Sequence, residues 1–355
     1  MQNAIPCMLF RGGTSKGTYY LDSDLPADPT AREQVLLKVM GSPDKRQIDG
    51  VGGAHPLTSK VAIVKKSERD GVDIDYLFVQ VVVDEARTST AQNCGNILAG
   101  VGQFAIEKGL VDAQEGETLV TVYMENTDSI AKQRILTPGK QVQYEGDAAI
   151  DGVPGTHAPV MIEFIDVAGS SCGALFPTGN FVDEVNGIEV TLVDNGMPIV
   201  MIDARSLNLQ GDESVEALEA NTVLKEQLEA IRLQVGPMMN LGDVTNKTVP
   251  KMTIVSPAKN GGMINTRSFI PHRVHDAVGV LAAVSVATAA NIPGAVGHDI
   301  ANIPAEKNKL CKVEHPTGEL SVEVVLDDDP AQLVPKHTSI MRTARLLFAG
   351  TAFYL

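Results

Sequence analysis

Tyr76 to Gly109 reads YLFVQVVVDEARTSTAQNCGNILAGVGQFAIEKG. Its opening, Tyr76–Val83, is a long β-branched run with strand patterning. A short polar turn, Asn93-Cys94-Gly95-Asn96, then leads into an apolar stretch. Apolar residues at Ile97, Val101, Phe104 and Ala105 predict a helix over Asn96–Lys108, with Gly109 in the C′ position that ends it. The same succession returns in the second half of the chain. Met263–Ile270 leads through Pro271-His272-Arg273-Val274-His275 to an apolar run, Ala277–Ala290. A strand, a polar turn and a buried helix, met twice, form a weak internal repeat.

Outward from these two stretches, Val61–Lys65, Thr118–Met124, Val142–Gly146, Val160–Phe164, Glu189–Val193, Ile199–Ile202, Met252–Val255 and Leu320–Leu326 also pattern as strands. Thr30–Met40, behind Pro29, and the amphipathic run Ser214–Leu233 pattern as helices. Clusters such as Asp151-Gly152-Val153-Pro154-Gly155 and Asp194-Asn195-Gly196-Met197-Pro198 mark turns. The reading is α+β in two related lobes: 1–176, joined by a last strand over 346–355, and 177–345. Two such lobes are expected to bring two helix N-termini to a shared cleft. Unpaired backbone N–H groups and partial positive charge there suit carboxylates.

At 355 residues and 44% hydrophobic, the chain is long enough for two domains with a sizeable core. It carries 29 basic and 44 acidic residues, a net charge of −15, which argues against general binding of nucleic acid or anionic membrane. An anionic ligand must be held by a local pocket against that field. Cys7, Cys94, Cys172 and Cys311 are scattered, with no CxxC spacing of a zinc or redox site. Met1 to Met8 show no signal-peptide pattern, and Ala277–Ala290 is too short to span a bilayer. The expected setting is cytoplasmic and reducing, with free thiols and a homodimer as the ordinary assembly.

Four segments carry chemistry. In Asn93-Cys94-Gly95-Asn96, a thiol at a helix start has its thiolate stabilised, Gly95 allows close backbone approach, and the asparagines add polar contacts. A lone cysteine also serves as a buried structural group; the polar neighbours weigh against that here. In the stretch QIDGVGGAHPLTSKVAIV, from Gln47 to Val64, a glycine-rich loop ends on Lys60 just before an apolar strand. Desolvation there makes a lysine a usable base; the alternative is a solvated lysine at a strand edge. Arg11-Gly12-Gly13-Thr14-Ser15-Lys16-Gly17 lacks the spacing of a phosphate loop, so its Thr14 and Ser15 hydroxyls suit a carboxylate, or the segment is a tight turn. Arg267 to His275 places Arg267 and His272 beside a helix start, where they suit a polyanion. His272 and His275 are also spaced to share a helix face, but no matching carboxylate or thiol makes a metal site. Asp49, Asp194 and Asp243 each lie near glycine and read as turn residues.

Taken together, RGGTSKG, QIDGVGGAHPLTSKVAIV, DYLFVQVVVDE, QNCGNILAGVGQFAIEKGLV, DGVPGTHAPV, NLGDVTNK and SFIPHRVHDAVGV resemble the methylaconitate isomerase family of diaminopimelate-epimerase-like proteins. Within it the likeness is to the 4-oxalomesaconate isomerases and tautomerases of gallate and protocatechuate ring cleavage. It runs from about Ile5 to Phe348. The resemblance implies two pseudosymmetric lobes, each a curved, mostly antiparallel sheet around a central helix, with the active site in the cleft between them. It also implies cofactor-free proton transfer on a small unsaturated di- or tricarboxylate, with no metal, by a lysine–cysteine pair. By motif position that pair is Lys60 and Cys94. Thr14, Ser15, Ser59, Asn93, Gly95, Asn96, Arg267 and His272 are the expected substrate contacts. The stretch His272–Ala277, where the epimerases hold a second cysteine, has none, which argues against amino-acid racemisation. Two other readings stand beside this one: a methylaconitate cis–trans isomerase of propionate catabolism, and a non-catalytic helper of an aconitase-like dehydratase.

Overall fold

The computed structural model describes residues 2–91, 93–325 and 335–355. The chain divides into two compact units: the part up to Ile165 together with Arg342–Leu355, and Asp166–Met341.

The first unit contains β1 (Asn3–Gly12), β2 (Ser15–Leu21), α1 (Pro29–Met40), β3 (Lys60–Lys66), β4 (Ile74–Val81), β5 (Thr88–Ser89), α2 (Gly95–Leu98), α3 (Val101–Glu107), β6 (Gly116–Met124), β7 (Ser129–Thr137) and β8 (Pro159–Phe164). The second contains β9 (Asp183–Val185), β10 (Ile188–Asp194), β11 (Pro198–Asp203), α4 (Val215–Ala220), α5 (Thr222–Met238), β12 (Lys251–Pro257), β13 (Ile264–Phe269), α6 (Val280–Ala290), β14 (Asn308–His315) and β15 (Gly318–Val325). The last strand, β16 (His337–Tyr354), pairs with β15 through its first residues and with β1 through its later ones. No helix among the described residues is long and apolar enough to cross a membrane.

The sheets are mixed, and the direction of each pairing follows from its connection. In the first unit β1/β2, β3/β4, β6/β7 and β7/β8 are antiparallel, while β2/β3 and β4/β6 are parallel. In the second β10/β11, β12/β13, β14/β15 and β15/β16 are antiparallel, while β11/β12 and β13/β14 are parallel. Each parallel pair is bridged by a connection that contains a helix, as a parallel crossover requires. The two units thus run through one order of pairing directions.

Burial follows the layers. In the first unit β6 and β7 alternate buried and part-exposed residues, the mark of a sheet covered on one face. β3 and β4 are nearly all buried because both their faces are covered. Val61, Ile63, Val79 and Val81 pack with Val35, Leu36, Leu37, Val39 and Met40 of α1. Towards the opposite side, Phe10 and Tyr19 stack against Phe104 of α3, with ring centroids 4.8 to 6.5 Å apart. α1 is set by its ends: the Asp28 carboxylate accepts from Ala31 N at 2.8 Å, Pro29 takes the first turn, and Gly41 closes it at φ 79°. In the second unit Leu224, Leu228, Ile231 and Val235 of α5 pack with Val190, Leu192, Val200, Ile202, Met252 and Ile254. α6 packs against β10, β11, β14 and β15 and is buried from Ala282 to Ala290.

Several elements differ from their sequence outline. The helix expected over 96–108 is two short ones. Gln133 of β7 is the cause: its amide donates to Leu98 O at 2.6 Å and accepts from Gly102 N at 2.8 Å. Those two groups would bond each other in a continuous helix. The run 214–233 divides at Asn221, whose side chain caps α5 through Leu224 N, and the second piece continues to Met238. α6 begins at Val280, three residues later than expected, because Ala277 N is taken by His275 Nδ1. Val142–Gly146 forms no strand, although Ala158 N bonds Tyr144 O. The strand expected over 320–326 is described to Val325; residue 326 lies outside the described residues. The division between units falls after Ile165 rather than after 176, because residues 169–175 bond into the β10–β11 turn: Gly169 N reaches Asp194 O, and Asp194 N reaches Leu175 O. The later division falls after Met341 rather than 345, since Arg342–Ala344 belong to the part of β16 beside β1, where Ala344 stands opposite Gly12.

Candidate active site

The hairpin between β1 and β2 is packed from two sides. A Cβ at Gly12 would stand 2.2 Å from the carbonyl oxygen of Asn96, and one at Gly17 would stand 2.4 Å from the carbonyl oxygen of Lys60. Glycine is required at both positions, and RGGTSKG is the segment that lets α2 and β3 close on the same hairpin. The Asn96 amide donates to Thr14 Oγ1 at 3.0 Å and reaches Ser15 Oγ at 3.5 Å. Thr14 is exposed and Ser15 buried. Arg11 ties the hairpin to β16, donating to Thr343 O at 2.6 Å and Thr343 Oγ1 at 2.7 Å.

Lys60 comes from the glycine-rich loop. Gln47 organises that loop from within: its amide oxygen accepts from Ala54 N and from Ser59 Oγ, both at 2.8 Å. Ser59, expected to meet substrate, is fully buried, its hydroxyl bonded to Gln47 and 2.9 Å from His55 O. It is a strut of the loop. The strand then begins at Lys60, with Gly17 opposite on one side and Gln80 on the other. Lys60 is only 6% exposed. Its Nζ donates to Gln80 Oε1 at 2.7 Å and lies 5.0 Å from the centre of the Phe78 ring.

Cys94 is the N-cap of α2, in extended conformation, with its N–H held by Asn93 Oδ1 at 2.7 Å. The Asn93 amide donates to Met124 Sδ. Asn126 holds the incoming segment, bonding both backbone groups of Phe78 and Thr90 O. Leu98 N–H is the first in the helix to reach a carbonyl, Cys94 O at 2.9 Å, so the N–H groups of Gly95, Asn96 and Ile97 precede the helical ladder. Apart from its chain neighbours and its own helix, no atom of the described residues lies within 4 Å of where a Cβ would be at Gly95. Packing therefore does not dictate glycine there. The phenols of Tyr19 and Tyr76 are pushed well above their ordinary value by full burial, and then by the charge of a Cys94 thiolate. Cys7, Cys172 and Cys311 are buried, and burial pushes their thiols up, Cys172 to about 12. Cys94 is the partly exposed thiol among the four.

The first unit therefore brings Thr14, Ser15, Asn96, Cys94, Gly95 and Asn93 to one corner, with Lys60 joined to it through Gly17, against which Ile97 also packs. The two expected contacts in the second unit are engaged differently. Arg267 on β13 is 8% exposed and donates to Glu213 O, Asn265 Oδ1 and Thr266 O at 2.8 to 3.0 Å, the bonds of a structural brace. His272 is largely exposed, 3.7 Å from Glu229 of α5. His272 and His275 both precede α6, so they share no helix face. Asp194 and Asp243 are turn caps, accepting from Ser171 N and Cys172 N, and from Thr245 N. Among the described residues no three His, Cys, Asp or Glu side chains converge as metal ligands would. Gln80 escaped the sequence reading, although it is the polar residue in the run YLFVQVVV and stands one strand from Lys60.

The chain matches the PrpF protein family over residues 2–354. It is 59% identical to the (4E)-oxalomesaconate Delta-isomerase of Novosphingobium sp. (strain KA1), over 99% of this chain and 98% of that one. It is 57% identical to the 4-oxalomesaconate tautomerase of Pseudomonas putida, over 98% and 96%. Among solved structures it is similar to methylitaconate-delta-isomerase, with TM-score 0.89 and 32% identity over 99% of this chain and 96% of that one. This chain belongs to the PrpF protein family and is an isomerase.

Proposed function

We propose that this isomerase moves a double bond in 4-oxalomesaconate, in the cytoplasmic breakdown of gallate and protocatechuate, with Lys60 as base and Cys94 as acid. The carrying observation is that one unit holds a buried lysine with a neutral hydrogen-bond partner and a part-exposed thiol at the head of α2, about one glycine-lined hairpin. The names of the two relatives at 59% and 57% identity support the substrate.

In this mechanism one substrate carboxylate meets the N–H groups of Gly95 and Asn96, where no side chain intervenes, and another meets the hydroxyl of Thr14. Lys60, unprotonated at that moment, takes the acidic proton next to the carbonyl or alkene. The electron pair delocalises into a dienolate, and backbone N–H groups carry its charge. Cys94 gives a proton to the far carbon of the three-carbon unit, and the double bond moves one position. The ammonium and thiolate left behind balance each other and reset by exchange with water. The step balances without a cofactor.

The test is a time course of 4-oxalomesaconate with the purified protein in deuterated water, followed by NMR and ultraviolet absorption. Deuterium entering one carbon with the double bond relocated is the expected result for the allylic shift. Conversion to the dienol without relocation marks the keto–enol reaction at the same site. No change in either signal sinks the reading. Lys60→Met and Cys94→Ser are each expected to lower turnover by about 10²- to 10⁴-fold without changing the melting temperature; full activity in either discards its role.

A further inference from the structure

We infer that Gln80 is the positioning residue for Lys60, its amide oxygen aiming and holding the amine; the inference rests on Lys60 being the base. Gln80 and Lys60 stand directly opposite in the antiparallel pair β3/β4, so their side chains share a face. The orientation of the amide is fixed by what surrounds its other end. Gln80 Nε2 faces three carbonyl oxygens: Pro56 O and Ser59 O at 3.0 Å and Val81 O at 3.2 Å. Turning the amide over would set its oxygen against three others, so the oxygen must point at Lys60 Nζ, 2.7 Å away. Two residues back along β4, the Phe78 ring supports the same ammonium.

The chemistry of the partner matters as much as its place. A carboxylate at this distance would hold the ammonium as an ion pair and keep the base protonated. A neutral amide fixes the nitrogen and leaves its proton free to go. The titratable side chains on the elements around Lys60 are Lys16, Tyr19 and Tyr20 on β2, Lys65 and Lys66 on β3 itself, Asp75 and Tyr76 on β4, Asp49 and His55 in the loop before it and Cys94 ahead of α2. Of the two carboxylates, Asp75 is engaged by Ser67, Lys65 and Arg69, and Asp49 is exposed. Two of the three carbonyls that orient Gln80, Pro56 O and Ser59 O, belong to the loop built on Gln47. The glycine-rich segment thus places the base through its backbone and aims it through Gln80.

The test is Gln80→Met, which keeps the length and removes the acceptor. Proton abstraction, followed as deuterium incorporation against pH, is expected to lose about 10- to 100-fold in kcat while KM changes by less than about threefold. The acidic limb of kcat/KM is expected to move to lower pH, since the protonated amine has lost its acceptor. Gln47→Met is the control: it loosens the same loop and lowers the melting temperature, and the limb stays in place. A limb that does not move in Gln80→Met, with a loss of kcat no greater than in the control, overturns the inference. If Gln80→Met does not fold, Gln80→Asn keeps the amide, draws its oxygen off Nζ and carries the same expectations at smaller size. Activity surviving in Lys60→Met overturns the base itself, an outcome separate from any result at Gln80.

Discussion

Each unit sends its fourth sheet position into a loop and a buried helix, and each rests its first hairpin on that helix, yet the two contacts are built for different ends. In the first unit the hairpin meets α2 through Asn96 and Thr14, and Thr14 is exposed. In the second, the β10–β11 turn is bonded wholly inward: Asn195 N to Ser285 Oγ at 3.0 Å, and Asn195 Nδ2 to Thr288 Oγ1 at 2.8 Å. Gly196 packs against Leu281, 3.2 Å from where its Cβ would be. α6 runs unbroken for 11 residues, while α2 stops after four. The two units share one order of strand pairing. The first gives up helical hydrogen bonds and leaves backbone N–H groups and a thiol exposed; the second spends its polar groups on packing.

The largest test of this contrast is at the break itself. Gln133 is fully buried and substitutes for the bond that Gly102 N and Leu98 O would make with each other. Gln133→Leu either leaves both groups unpaired or lets the helix close. The expected outcome is a loss of about 2–3 kcal/mol in urea unfolding and a marked fall in turnover as the first turn shifts. A variant as stable and active as the parent would show that the break belongs to the Ala99–Gly100 sequence and not to Gln133.

How far the sequence carried this outline follows from which forces are local. Strands such as β4 and β6, and α1, were legible because apolar patterning and Pro29 act within a few residues, whereas β1, β2, β7 and β14 went unread. The order strand, loop, helix was legible in both stretches, β4 to α2 and β13 to α6. The split between α2 and α3 was not, since a glutamine 31 residues away causes it. At the site, Cys94 and Lys60 stood out by their neighbours in the chain. Ser59 and Arg267 looked equally available, and only tertiary contacts reveal them as struts. Gln80 was hidden for the complementary reason: its meaning lies in its register with Lys60 across the sheet.

A smaller effect is expected at Gly95, where neither the backbone nor a neighbour requires glycine. In the β10–β11 turn, Gly196, at φ 86° and against Leu281 of α6, has no such freedom. Gly95→Ala is expected to leave the melting temperature unchanged or slightly raised, since alanine suits a helix better by up to about 1 kcal/mol. KM for the carboxylate substrate should rise about tenfold, the loss of about one hydrogen bond to a charged group. An unchanged KM would mean that the substrate does not approach α2 at this point, and the contrast between the units would lose its functional half.

The finest test compares two lysines. Lys251 opens β12 opposite Ile199 in the parallel pair β11/β12, as Lys60 opens β3 opposite Gly17 in the parallel pair β2/β3. Lys60 has an amide acceptor; Lys251 is part-buried, and burial followed by the charge of Arg232 holds its ammonium below the ordinary lysine value. A lysine lowered in the folded state binds its proton more weakly there than in the unfolded chain. It therefore costs stability at neutral pH, and that cost fades as pH rises through the folded value towards the ordinary one. Lys251→Met is expected to raise stability at pH 7 by about 0.5 kcal/mol, a gain that shrinks towards pH 10 in urea titrations, with turnover within about twofold of the parent. Loss of turnover comparable to Lys60→Met would break the comparison at its root: both units would then be presenting a working base from the same strand position, and the second unit would not be packing alone.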